Sequence, residues 1–451
     1  MENNFQNTKH RTYLNLEPYN LIGSAMKSLL LFMLTLAANR ASAQETIKQY
    51  VKANAVTIKS VSLQDSSFLD LAPIGQAIGS KRVVMLGELF HGDGTTFEAK
   101  SRLIKYLHEQ LGFNVLAFES DFFALNDGWQ AFENKETTLE HVMQYSVYPV
   151  WTACKQCRPL FEYIKQKSTT INKLVLTGFD SQLISGYSRR QLKTRLDSFL
   201  VKMNISFTKS PFYRRYLPLI DSLITARGEA SIKLFDSVSI LTSKLLLELN
   251  DRSLQDSFYF QVLSSVKTLS EQAKVYWSGH KDVQGAQAIR DVQMANNLKW
   301  LLKTKYPNEK IIVWGHNGHI WKNSDEEYNK KSGDRYSMGY HFTLEPELMS
   351  QTYIIGFTEH GGTGKLLSNN TLAKVIRSEK NGLESWLSSL KQDYLFIDFS
   401  RFRKANPSSK EKYYMKTYID RQAVSFWHHI FDGIFFIREM KPCEKIAPIT
   451  L

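Results

Sequence analysis

Four short, almost unbroken apolar runs punctuate the chain: Arg82–Gly87, Val115–Phe118, Leu174–Gly178 and Ile311–Gly315. Runs this short, rich in β-branched residues, predict strands buried on both faces, as in a parallel sheet covered by helices. Between the first two, Phe97, Leu103, Ile104, Leu107 and Leu111 recur at helical spacing, and Gly112 is placed to close that helix. Strand, helix and strand in this order predict a right-handed βαβ unit with parallel strands. From about residue 185 to 285 the period changes. Leu192, Leu196 and Leu200, then Leu217, Ile220, Leu223 and Ile224, then Leu241, Leu245 and Leu249, then Phe258, Val262 and Val266 follow helical spacing. This predicts a helical insertion between the third and fourth strands, placed to roof the sheet edge. A further amphipathic helix is predicted over Ala288–Leu302, and strands at Thr352–Phe357, Tyr394–Ile397 and Gly433–Ile437. The expected fold class is α/β: a largely parallel or mixed central sheet flanked by helices, with the insertion over the C-terminal edge of the strands.

The pattern before residue 44 is of another kind. Met26-Lys27, an apolar stretch from Ser28 to Ala38, and Ala41-Ser42-Ala43 before Gln44 form the three parts of a secretory signal. The apolar stretch is too short to span a bilayer, which takes about 20 residues. Residues 1–43 are expected to be an N-terminal extension and signal peptide with its core at 26–43. Residues 44–451 then form one α/β domain, periplasmic or secreted, with no stable membrane insertion after cleavage. No linker rich in Gly, Pro or Ser divides that stretch, and no internal repeat is visible.

A formal charge of +13 on 451 residues raises the question of nucleic acid. Lys and Arg are scattered singly among acids, which describes a solvated basic surface, so no nucleic-acid partner is expected. The three cysteines cannot build a disulfide scaffold. In an exported protein, Cys154 and Cys157 are expected to form a local disulfide, with Cys443 alone.

The candidate chemistry sits at the ends of the strands. Glu88 and His91 follow the first, Glu119 and Asp121 the second, Asp180 the third, and His316, Asn317 and His319 the fourth. Open α/β sheets bind ligands outside the carboxyl ends of their strands, so parallel neighbours would gather three imidazoles and several carboxylates at one mouth. In Gly87-Glu88-Leu89-Phe90-His91-Gly92 the glycines permit a tight turn that lifts an acid and an imidazole into one loop. Such a pair suits general base catalysis, the carboxylate fixing the imidazole's tautomer. His316 and His319 suit oxyanion donation or metal binding, and Arg290, beside Asp291, suits an anionic or carbonyl oxygen. There is no Gly-x-Ser-x-Gly elbow and no His-Glu-x-x-His helix. Gly361-Gly362-Thr363-Gly364-Lys365 departs from a P-loop, with Glu359 at the required Gly position and Leu366 at the Ser/Thr position. Trp427-His428-His429 lies outside the crevice strands and reads as core and surface.

Taken in order, these segments resemble the erythromycin esterase-like family: Val84-Met85-Leu86-Gly87-Glu88 with His91-Gly92, Gly112-Phe113, Phe118-Glu119, Gly178-Phe179-Asp180, Arg290-Asp291 with Met294-Ala295 and Asn297, and Trp314-Gly315-His316-Asn317-Gly318-His319. Met338-Gly339 and Ile355-Gly356-Phe357 follow in family order, and the resemblance spans about residues 80–360. It implies an α/β fold with a helical lobe and hydrolysis of a macrolide lactone by activated water, with no required metal or other cofactor. His91 matches the general base, Glu88 and Glu119 the essential carboxylates, His316 and His319 the second histidine cluster, and Arg290 the arginine of the Arg-Asp helix. Two departures bear on the substrate: Leu89-Phe90 is more apolar than is usual before the His-Gly pair, and Thr95 stands where many members carry an acid.

The expectation is an exported hydrolase acting on a small-molecule ester or lactone without a covalent intermediate. His91, Glu88, Glu119, His316, His319 and Arg290 would be catalytic, with Asp121, Asp180 and Asn317 binding substrate and the helical lobe selecting a bulky apolar one. Two alternatives use the same crevice. In one, Glu88, His91, Glu119 and His319 hold a divalent ion that activates water; in the other, an envelope binding protein holds a bulky apolar ligand and makes no product.

Overall fold

In the computed structural model the four apolar runs form β2 (Val83–Leu86), β3 (Phe113–Asp121), β4 (Val175–Asp180) and β5 (Lys310–Trp314). The structure describes residues 46–279, 281–322, 336–366 and 371–447, so the signal segment lies outside the described residues. The four strands are neighbours in the order β2-β5-β3-β4, and every pairing among them is parallel. Val83, Val84, Met85 and Leu86 are all buried, as are Ile311 to Trp314, which is why these segments carry no polar alternation.

The sheet continues on the other side of β2. β6 (Thr352–Leu366) pairs with it in parallel, and β11 (Gly433–Met440) pairs in parallel with β6. Antiparallel β8 (Tyr394–Asp398) and β1 (Val56–Ile58) complete that edge, while β7 (Thr371–Lys374) hangs from β6. A separate two-stranded hairpin, β9 (Tyr413–Tyr418) with β10 (Arg421–Ser425), stands apart from the main sheet. The apolar runs do not announce this hairpin.

Helix α1 (Gly94–Leu111) joins β2 to β3 and ends at Gly112, whose φ of 70° is left-handed and whose amide donates to Leu107 O. The expected insertion is four helices, α2 (Gly186–Lys202), α3 (Tyr213–Thr225), α4 (Ile232–Asp251) and α5 (Phe258–Trp277), whose spaced leucines and valines are largely buried. α6 (Val283–Trp300) follows and leads into β5. The insertion reaches the mouth of the strands only at its end, where Val283 and Gln284 begin α6. Its body braces α6 from behind: Asn297 on α6 donates to both Ser265 Oγ of α5 and Phe179 O of β4, each at 3.1 Å. Among the described residues no helix is long and apolar enough to cross a membrane.

The expected Cys154–Cys157 disulfide is not formed. Cys154 is bonded to Cys443, 289 residues away, and Cys157 is a buried free thiol. Cys157 turns into the core on a short 3-10 turn, whereas the backbone of Cys154 bridges to Lys445 just after β11. Cys443 also donates its amide to Gly92 O at 2.9 Å, and Lys441 donates to Thr95 Oγ1 at 3.0 Å. The segment after β11 therefore ties the turn after His91 to residues 153–155. A cross-link over so long a loop restricts the unfolded chain strongly. Cys443→Ser is expected to cost about 2–5 kcal/mol, read as a lowered thermal midpoint under non-reducing conditions. An unchanged midpoint would show that the bond contributes nothing.

Candidate active site

Beyond the carboxyl ends of β2, β3, β4 and β5 opens a cavity of about 750 Å³ with His91, Glu119, Arg290, His316 and His319 in its wall. The ring centroids of His91 and His316 are 5.3 Å apart, and those of His316 and His319 6.3 Å. Four residues at the ends of β2, β3 and β5 thus meet Arg290 of α6 in one mouth, as parallel neighbours predict for the strand ends.

His91 follows β2 on the turn that Gly87 permits. Gly87 is needed because Asn317 Oδ1 would lie 1.9 Å from any Cβ there. His91 Nδ1 lies 2.7 Å from Glu88 Oε1, and its side chain is 35% exposed, so Nε2 is the nitrogen left for the cavity. Burial works to lower the His91 pKa, but the hydrogen bond to Glu88 and the charges of Glu88 and Glu119 overcome it and the net shift is upward.

Glu88 is fully buried and does not reach the cavity; it acts through His91. Its other oxygen accepts from Lys100 Nζ at 2.7 Å. Lys100 is itself fully buried, 3.9 Å above the Trp314 ring and 3.4 Å from Gly315 O. Burial favours the neutral Glu88 carboxyl, yet Lys100 and His91 bring it down to about 2. Lys100 escaped the sequence reading although a signal existed. Phe97, Lys100, Ile104, Leu107 and Leu111 form one file at helical spacing, so a lysine lies on the inward face of α1.

Across the cavity, Arg290 is the hub. Nε and Nη2 grip Asp180 at 2.9 and 2.8 Å, Nη2 also donates to Glu119 Oε1 at 2.9 Å, and Nη1 reaches His319 Nε2 at 3.0 Å and Gln287 Oε1 at 3.2 Å. A guanidinium has five N–H donors, and all five are engaged. Glu119 Oε2 accepts the His316 amide at 2.8 Å, and Oε1 lies 3.3 Å from His319 Nε2. Burial pushes Glu119 up, while His319, Arg290, His91 and the His316 amide bring it to about 2. His319 Nδ1 is 2.5 Å from Asp291 Oδ1, a carboxylate–imidazole pair that orients the ring.

The remaining candidates have structural partners. His316 caps a short helix: its Nδ1 accepts from Gly318 N at 3.0 Å, and its Nε2 donates to Leu89 O at 2.9 Å. Neither nitrogen is left for a substrate, and burial together with His91 lowers its pKa to about 4. Asp121 accepts from the amides of Ala124 and Ser185, at 2.9 and 3.0 Å, and burial raises its pKa to about 6. Asn317 pairs its amide with the backbone of Phe357 on β6, and Asp180 is spent on Arg290. These three therefore build the floor beneath the cavity rather than its lining. Trp427 and His428 are buried elsewhere. Among the described residues no group of three or more His, Cys, Asp or Glu side chains is arranged to hold a metal ion.

The wall facing α6 comes from the β9–β10 hairpin through Thr417, Tyr418, Arg421, Gln422 and Ala423. On the third side, Trp151 stands edge-on to His91 at 5.9 Å between ring centroids. Disulfide-bonded Cys154 anchors the same segment.

The chain is 27% identical over 414 residues to a putative hydrolase, YbfO, of Bacillus subtilis (strain 168), covering 84% of this chain and 88% of that one. It is 22% identical over 298 residues to the erythromycin esterase type II of Escherichia coli, covering 61% and 69%. The fold matches a mutant of the erythromycin esterase EreC in its open conformation with a TM-score of 0.63, at 16% identity, over 86% of this chain and 98% of that one. The erythromycin esterase family model matches residues 108–440, which include Glu119, Asp180, Arg290, His316 and His319, while Glu88 and His91 lie just before them. With most of its length matched and its strand-end residues gathered in one cavity, this chain belongs to the erythromycin esterase family.

Proposed function

We propose that the chain hydrolyses a carboxylic ester or lactone by direct attack of water. The observation that carries this reading is the Lys100–Glu88–His91 relay, which holds Nδ1 of His91 and leaves Nε2 facing the cavity. His91 takes a proton from water as the oxygen adds to the acyl carbon, and returns it to the departing alkoxide. The oxyanion takes an N–H of Arg290 Nη1, whose bond to Gln287 is the longest of the five at 3.2 Å. Glu119 and His319 hold the guanidinium in place. His316 packs against His91 and fixes its ring.

Incubation with erythromycin tests the lactone form of the reading: a product heavier by one water supports it, and unchanged drug removes macrolides. Activity on p-nitrophenyl esters tests the reaction itself. The rate should rise with pH through the raised His91 pKa, because only the neutral imidazole accepts a proton. Glu88→Gln removes the main cause of that elevation, so the acidic limb of its pH–rate profile should move to lower pH as the rate falls. A limb that stays in place would separate His91 from the limb.

Export is part of the same proposal. Residues 26–43 carry the signal pattern, and a cross-link between Cys154 and Cys443 persists in oxidising compartments. N-terminal sequencing of secreted protein beginning at Gln44 supports export; a retained Met26 overturns the cleavage.

A further inference from the structure

The cavity walls are not those of an apolar slot. Gln284, Gln287 and Arg290 succeed one another three residues apart on α6 and all line the cavity, from exposed Gln284 to buried Arg290. Gln287 spends its carbonyl oxygen on Arg290 and keeps its NH2. Gln182 lines the third side, and among the described residues the side-chain amides of Gln182 and Gln284 have no hydrogen-bond partner. Facing them on the hairpin, Tyr418 is 37% exposed, its ring packed 4.8 Å from the His316 ring and 5.3 Å from the Arg421 guanidinium, with the rest of its surface toward the cavity.

The amides of Gln182 and Gln284 each offer donors and an acceptor without net charge, and Gln287 adds its NH2. A vicinal diol matches that pairing, since each hydroxyl both donates and accepts. The C–H face of a sugar ring suits an aromatic surface such as Tyr418. An apolar ligand would strip water from the amides and return no hydrogen bond, at about 1–3 kcal/mol for each group left unsatisfied. The volume of about 750 Å³ has room for more than one ring.

We propose that the substrate is an O-acylated saccharide, its sugar lying between the α6 glutamines and Tyr418 and its ester at His91. The inference rests on the ester-hydrolase reading above. Water adds to the acyl carbon, the C–O bond to the sugar breaks, and His91 passes the proton to the sugar oxygen. The products are a carboxylic acid and a free sugar hydroxyl.

The test compares methyl 6-O-acetyl-glucopyranoside with cyclohexylmethyl acetate, which shares the primary alkoxide and ring size but lacks the hydroxyls, with p-nitrophenyl acetate as the reference. The expected kcat/KM is about 100-fold or more higher for the sugar ester, since sites built to hydrogen-bond hydroxyls reject analogues without them. Gln284→Leu and Gln182→Leu should each raise KM for the sugar ester about tenfold and leave p-nitrophenyl acetate hydrolysis unchanged. Equal or faster turnover of the cyclohexyl ester, or turnover of p-nitrophenyl acetate alone, overturns this inference and leaves the esterase reading intact. No His91-dependent hydrolysis of any of the three overturns both.

Discussion

Replacing His91 with alanine is expected to lower kcat by about 10²- to 10⁴-fold, the usual contribution of a positioned general base. The side chain is 35% exposed at the cavity wall, so the thermal midpoint should stay within a few degrees of the parent. The decisive comparison is with His316→Asn, which removes a ring whose two nitrogens both serve the backbone. That variant should lose stability as well as activity. If His91→Ala retained parental turnover, water activation would have to come from elsewhere in the cavity. Rapid mixing adds a second check, because direct attack by water produces no burst of product before the steady state.

The largest stability effect is expected at Lys100. Lys100→Met keeps most of the packing against Trp314 but leaves Glu88 buried beside His91 without its cation. Breaking a buried ion pair from one side costs about 3–5 kcal/mol. Chemical denaturation measures it, and activity should collapse with it as Glu88 becomes easier to protonate. The double variant Lys100→Met, Glu88→Gln removes both charges, so much of the lost stability should return while activity stays low. Recovery of activity with stability would refute the relay. Acid dependence supplies an independent signature. Glu88 is depressed from 4.5 to about 2, so its stabilising contribution is complete above 4.5 and is lost as pH falls toward 2. Lys100→Met should flatten that limb.

The gathering of Glu88, His91, Glu119, His316 and His319 was legible because buried parallel strands are near-continuous in apolar residues and their polar tails share one edge. The roles of individual residues were less so. His316 and Asn317 stand beside each other after β5, yet both are absorbed by backbone partners, a distinction that needs three-dimensional placement. Lys100 was readable from its position in an apolar helical file but is masked by the ordinary expectation that lysines face water. The hairpin wall left little trace because Tyr413–Ser425 mixes polar and apolar residues and its facing partner, α6, lies more than a hundred positions earlier. The cysteine pairing was misread for a similar reason: spacing favours Cys154 with Cys157, whereas the fold brings Cys443 across 289 positions to Cys154.

The clasp after β11 has a bearing on biosynthesis. Gly92 O is held by the amide of Cys443, and β11 lies between β6 and β8 inside the sheet. A nascent polypeptide that has delivered the His91 turn, but still awaits residues 433–446, has an incomplete sheet and an unclasped turn. The proposed activity is therefore expected to arise late, after synthesis has passed β11, and, on the proposed export, to be absent from a chain still in transit.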